Sequence, residues 1–301
     1  VQHRNDNGMN IRVLLLAFDT DSNQDYRLDP LAYAVENAWH HGITVVVSSG
    51  NDGRSAQTLG NPALDPYVIA VAALEPGKGN KYQVPNWASS GDGTRNPDLA
   101  SPGQQILAAA VPGSYLANAH PDAVFDTPDG AVIRGNGTSQ SAALTAGAAA
   151  VLLQARPNLT PDEVKAALTT TARDVAVNEK FAGAGLLDLH PALDAQVDGA
   201  TQNHDLATGL GSLEAARGSY HAGPEGDQFY GETTAFGDTW DPATWTAATS
   251  AAAAFTDETW DGATWSTGSW LGATWSGATW SGATWSGATW SGATWSGATW
   301  A

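Results

Sequence analysis

Cysteine is absent from this 301-residue chain, methionine occurs once, and Lys and Arg together number 13 against 31 Asp and Glu. Without cysteine there are no disulfides and no thiolate metal sites, and the chain suits a reducing or an oxidising compartment equally. A net charge of -18 repels phosphate backbones and anionic membrane surfaces, which argues against nucleic acid as a partner. Long apolar runs are missing as well. The nearest candidate, Ala142 to Leu153, contains Thr145 and Gly147 and falls short of the roughly 18 residues a membrane span needs. No initiating methionine and no charged-then-apolar leader is present, so the chain is expected to be either a mature form or part of a longer sequence.

What remains is enough for a folded core, since 42% of the residues are hydrophobic. Composition divides the chain near residue 200, giving an expected domain over 1–200, a glycine-rich linker over 201–238 and a repetitive tail over 239–301. In the first part, strand-like and helix-like segments alternate. Ile11 to Phe18, Ile43 to Ser49 and Tyr67 to Leu74 read as strands, and two of them are continuous apolar runs of the kind a parallel sheet covered on both faces requires. Between the first two, Asp29 and Pro30 predict the start of a helix and Gly42 its end. Thr160 and Glu163 have capping-box spacing around Pro161 and predict a second helix. The pattern predicts an α/β domain, with a parallel sheet flanked by helices.

The stretch "RGNGTSQSAALTAGAAAVLLQARP" places Ser139 directly before a helix built of alanine and glycine. Side chains this small let backbones approach closely, so the helix is expected in the middle of the domain. A hydroxyl there either caps the helix or acts as a nucleophile, because the free N–H groups and positive dipole end favour a developing oxyanion. A second stretch, "GITVVVSSGNDG", ends a buried strand in Ser48, Ser49, Gly50 and Asn51, at the sheet edge where open α/β folds bind ligands. Asn51 is either turn chemistry or a second oxyanion donor.

These two stretches, in this order, resemble the motifs of subtilisin-like serine proteases, the subtilases. "NPALDPYVIAVAAL" and "WASSGDGTRNPDLASPG" between them, and "RPNLTPDEVKAALTTTA" and "GAGLLDL" after them, extend the resemblance over about Ile11 to Leu193. It implies a subtilisin-like fold, incomplete at its N-terminus, with peptide-bond hydrolysis of protein or peptide substrates and no cofactor or metal called for. Residue by residue, it implies Ser139 as nucleophile and Asn51 as oxyanion donor. Ser48, Ser49 and Gly50 would form one wall of the pocket for the residue before the scissile bond. Ala17, Phe18 and Asp19 stand where the family's substrate-binding Ser-Leu-Gly segment is expected, with Asp19 at the glycine.

The chain also departs from the family. Gln140 follows the nucleophile in place of methionine, Ala142-Ala143-Leu144-Thr145 replaces Ala-Ala-Pro-His, and Ser101 replaces an alanine. A serine needs a base, and the family's aspartate and histidine belong upstream of the strand that here begins near Ile11. The first ten residues hold neither motif. Asp19-Thr20 resembles the aspartate motif but lies in the substrate segment. His40 and His41 close a helix, where histidine serves the dipole end. His3 falls in an expected frayed terminus, and His120, His190, His204 and His221 fall in expected loops without family counterparts. The expectation is therefore the C-terminal portion of a secreted, extracellular endopeptidase, its triad completed outside this chain; the alternative is a catalytically dead binding or cell-surface module.

From Trp240 to Trp300 tryptophan recurs every fifth position, with Phe255 keeping the phase and Ser250 breaking it. A period of five fits neither a helix face nor a strand face. The repeat resembles pentapeptide-repeat β-solenoids, and it also reads as a low-complexity tail. Exposed indoles would stack on carbohydrate or on another surface.

Overall fold

The computed structural model describes residues 1, 4–78, 81–221, 229–234 and 239–250, and the backbone of short strands between 264 and 295. In chain order the principal elements are β1 (Val13–Leu16), α1 (Pro30–His40), β2 (Thr44–Ser48), β3 (Ile69–Pro76), β4 (Tyr82–Gln83), β5 (Leu99–Pro102), β6 (Ile106–Ala109), α2 (Tyr115–Ala119), β7 (Val124–Thr127), β8 (Gly130–Gly135), α3 (Thr138–Ala155) and α4 (Pro161–Thr170). Two compact units result, one of 1–106 with 136–211, the other of 107–135 with 212–301.

The first unit is built on a sheet in which β1, β2, β3 and β5 run parallel, while β4 pairs antiparallel with the end of β3. Val45, Val46 and Val47 in β2 and Ile69 to Leu74 in β3 are 0% exposed, as continuous apolar strands covered on both faces should be. Each Val, Ile or Leu side chain among them contributes about 1.5–3 kcal/mol on burial. Among the described residues β1 lies at the sheet edge and pairs with β2 alone. β1, β2 and β3 are shorter than, or shifted by a few residues from, the apolar runs that predict them.

Local chemistry sets the helix starts. The Asp29 carboxylate accepts the N–H groups of Leu31 and Ala32 at 2.8 and 3.0 Å, and Pro30 occupies the first turn, where no N–H is needed. Gly42, past the end of α1, has a φ of +83°, a conformation that favours glycine. At α4, Thr160 and Glu163 form both halves of a capping box.

Helix α3 packs across β1, β2, β3 and β5. Its inner face, Ala142, Thr145, Ala149 and Leu152, is fully buried. The expectation that it runs through the middle of the domain holds for that face alone. Ala143, Leu144, Gly147, Ala150 and Val151 are exposed, because small residues line both sides of the helix and the sheet covers only one.

Three hydroxyls anchor the inner face. Ser101 and Thr145 hydroxyls meet at 2.8 Å, the Thr145 hydroxyl donates to the Ser141 carbonyl at 3.0 Å, and the Ser141 hydroxyl donates to the carbonyls of Ser101 and Pro102. Ser101 and Thr145 replace the residues usual in the resembling family, and each supplies the other's partner. At the other end of the sheet, Lys165 reaches into the core, donating to the carbonyls of Pro66 and Val68 and pairing with Asp98 at 2.9 Å. Arg95 holds the second Asp98 oxygen at 3.1 Å.

In the second unit, β7 and β8 form an antiparallel hairpin, with Val124 opposite Ile133 and Thr127 opposite Gly130. Ser114 caps α2 through the N–H of Ala117. Trp240 and Trp245, which open the five-residue register, have ring centroids 5.2 Å apart. Further on, the backbone of Ala273–Trp275 pairs antiparallel with Gly268–Trp270 and with Ala288–Trp290. The solenoid and carbohydrate-stacking expectations for the repeat rest on side chains beyond 250, which lie outside the described residues.

Candidate active site

Strand β2 delivers Ser48, Ser49, Gly50 and Asn51 to the carboxyl edge of the sheet, and β1 delivers Ala17, Phe18 and Asp19 beside them. Helix α3 begins at the same edge with Gly137 as its N-cap, at a φ of +154° that favours glycine. Gly137 makes no side-chain cap. Its place is taken from across the sheet: the Asn51 side-chain oxygen accepts the Thr138 N–H at 3.0 Å and the Thr138 hydroxyl at 3.1 Å. The Thr138 hydroxyl in turn accepts the Gly50 N–H at 3.2 Å. Residues 87 apart in sequence are thus held in one knot.

This bond fixes the orientation of the amide. Because a backbone N–H faces it, the inward atom is the oxygen, and the Nδ2 hydrogens are turned outward. Asn51 is exposed, and among the described residues no acceptor is bonded to its Nδ2 or to the Ser139 N–H. Asn51 Nδ2 and the Ser139 N–H are thus two donors without an acceptor among the described residues at the amino end of an 18-residue helix, where the dipole favours negative charge. Such an arrangement suits an anion that develops during a reaction.

The Ser139 hydroxyl is half-buried and donates to the Ala17 carbonyl at 3.0 Å. A carbonyl oxygen holds that hydrogen bond but cannot take the proton, so the hydroxyl rests without a base. No histidine among the described residues bonds to it. His41 is engaged with the Asn37 carbonyl at 2.7 Å, His40 and His204 stack edge-on against Tyr67, and His221 pairs with Glu214 at 2.9 Å.

The remaining residues singled out in the sequence lie around this point. The Ser48 hydroxyl donates to the Phe18 carbonyl at 3.4 Å, tying β2's end to the 17–19 segment. Ser49 is 0% exposed, and its hydroxyl has no hydrogen-bond partner among the described residues. Gly50 has a φ of +109°, and a Cβ there would lie 2.8 Å from the Ser89 hydroxyl and 3.0 Å from the Asp19 carboxylate. Phe18 is 44% exposed. Asp19 is half-buried, and burial, followed by the charges of Asp52 and Asp21, pushes its carboxyl up to about 6. Sequence alone assigns Thr138, Ser89 and Gly60 no part in this site. A lone hydroxyl or glycine leaves no local pattern when its partner is distant in the chain.

Comparison with known proteins matches the subtilase family over residues 6–203. The serine protease AprX of Bacillus subtilis is 36% identical over 143 residues, a span of 46% of this chain and 32% of AprX. Fervidolysin of Fervidobacterium pennivorans is 36% identical over 164 residues, 53% of this chain and 23% of the relative, so the chain spans a third or less of either protein. The crystal structure of fervidolysin, described as a keratinolytic enzyme related to subtilisin, superposes with a TM-score of 0.53 at 30% identity over 70% of this chain and 29% of that one. With a parallel sheet flanked by helices and a family match that takes in both sheet-edge motifs and the helix they meet, this chain belongs to the subtilase family.

Proposed function

We propose that this chain carries the nucleophile and oxyanion hole of a secreted, subtilisin-like serine endopeptidase. The observation that carries this reading is the Asn51–Thr138 bond, which ties the Asn51 amide to the residue next to Ser139 and leaves its Nδ2 without an acceptor among the described residues. In the reaction, the Ser139 oxygen bonds to the carbonyl carbon of a peptide while its proton passes to a histidine. The oxyanion rests between Asn51 Nδ2 and the Ser139 N–H. Collapse breaks the carbon–nitrogen bond, the departing amine takes the proton back from the histidine, and water then releases the acyl group by the same route.

The histidine and its aspartate belong, in this reading, to polypeptide outside these 301 residues. Two features support that assignment: the parked Ser139 hydroxyl, and uncovered apolar groups on β1 and α3, where Leu15, Leu144 and Val151 are 36%, 42% and 44% exposed. An apolar strand at an open sheet edge calls for a covering segment. Ser48, Ser49 and Gly50 would wall the pocket for the residue before the scissile bond, and Ala17 to Asp19 would flank the peptide. Residues 1–200 would form the peptidase portion, 201–238 a linker and 239–301 the repeat tail. Among the described residues no helix is long and apolar enough to cross a membrane.

A second reading is a catalytically dead module that binds through its tryptophan repeat, favoured by the hydroxyl's bond to Ala17 in place of a base. The complete protein separates the two. Hydrolysis of a denatured protein substrate that disappears in Ser139→Ala supports the peptidase; a complete protein that hydrolyses nothing supports the module.

A further inference from the structure

We propose that Asp19 selects a positively charged side chain, lysine or arginine, on the substrate residue whose carbonyl is attacked. This rests on the reading of Ser139 and Asn51 above and adds the class of substrate.

The position of the carboxylate is the first ground. Asp19 follows Ala17, whose carbonyl holds the Ser139 hydroxyl, by two residues. Its side chain lies over two glycine backbones. A Cβ on Gly50 would come within 3.0 Å of Asp19 Oδ2, and one on Gly60 within 2.1 Å, so the carboxylate occupies the space that side chains at 50 and 60 would need. Gly50 directly precedes Asn51 and is itself bonded to Thr138, so the carboxylate stands on the wall formed by Ser48, Ser49 and Gly50. The Thr20 and Asn61 backbones exchange hydrogen bonds of 2.9 Å in both directions, and this pins the segment in place.

The second ground is the missing counter-charge. Among the described residues no hydrogen bond and no ion pair reaches the Asp19 carboxylate, and the charges acting on it, those of Asp52 and Asp21, are both negative. Asp52 is held by the Ser89 hydroxyl, which donates toward its carboxylate and accepts its N–H. A half-buried carboxylate without a partner has already lost much of its hydration, so a guanidinium or ammonium group arriving there gains a charge-assisted bond at little further desolvation cost. An apolar or acidic side chain at the same place gains nothing, or is repelled.

Titration of the 301-residue chain with benzamidine and with neutral benzamide, at about pH 8, reads this directly. The expected result is at least about tenfold tighter binding of the amidine. That preference should vanish in Asp19→Asn. It should also fade in the unaltered chain as pH falls below about 6, where Asp19 takes up a proton, and this arm stands even if the variant does not fold. Equal binding of the two probes, or an amidine preference that survives Asp19→Asn, overturns the proposal. Fluorophosphonate labelling of the complete protein, measured alongside, separates the failures: labelling at Ser139 without amidine preference sinks the charge selection alone. Amidine preference without labelling sinks the hydrolase reading, and the substrate assignment with it.

Discussion

The amide oxygen of Asn51 accepts the Thr138 N–H at 3.0 Å, so a loop residue after β2 performs the capping that Gly137, the N-cap of α3, cannot. One side chain thereby fixes both a helix start and the direction of its own amino group.

Replacing Asn51 with alanine should act on two measurements at once. Thermal unfolding should show a loss of about 0.5–2 kcal/mol, the range for a lost helix cap. Acylation by a peptide ester in the complete protein should slow by about 100- to 1000-fold, the penalty known for the corresponding asparagine of subtilisin. A rate loss no larger than the stability loss accounts for would make Asn51 a structural residue only.

The Ser101–Thr145 contact makes a different forecast. Thr145→Val leaves the Ser101 hydroxyl buried without a partner and should cost about 1–3 kcal/mol in denaturant unfolding. Adding Ser101→Ala removes the orphan, so the double variant should recover most of that loss. Additive destabilisation would show that the two hydroxyls do not depend on each other.

Lys165 and Asp98 are both almost inaccessible, and the pair is shared with Arg95. Burial pushes the Lys165 ammonium down, and the Asp98 carboxyl is lowered because Arg95 and Lys165 outweigh its own burial. Lys165→Met should cost about 3–5 kcal/mol, since Asp98 is left buried with Arg95 as its one remaining cationic partner among the described residues. Chemical denaturation of the variant gives the value; a loss below about 1 kcal/mol would mean that Arg95 alone neutralises Asp98.

Glu36 and Asp65 face one another in the interior, Glu36 accepting the Ala207 N–H. Burial pushes Glu36 up to about 7 and Asp65 well above the usual carboxylate range. Both groups ionise at lower pH in the unfolded chain, so the folded state binds more protons and loses stability as pH rises through about 7. Melting temperature should therefore increase on lowering pH from 8 towards 6, and the increase should shrink in Glu36→Gln. A melting temperature flat across that interval would contradict the assignment.

How much of this was legible in the sequence follows from how local each signal is. The caps at Asp29 and Thr160 and the stop at Gly42 were readable because every participating residue lies within one turn. The buried strands were readable because a sheet covered on both faces demands unbroken apolar runs. The hairpin of β7 and β8 was overlooked, although Pro128, Asp129 and Gly130 between Val124–Thr127 and the apolar Ala131 to Ile133 carry its turn signal. The open face of α3 could not be read, because alanine lines both sides of the helix and composition does not say which side the sheet covers. Ser139 and Asn51 were marked as site residues, whereas Thr138, which joins them, acts through a contact 87 residues away.

The most direct test is to treat the complete protein with a fluorophosphonate and locate the adduct by mass spectrometry. The account predicts a single adduct on the Ser139 hydroxyl, absent in Ser139→Ala and slowed in Asn51→Ala. A complete, folded protein that stays unmodified, or carries the adduct on another serine, contradicts it.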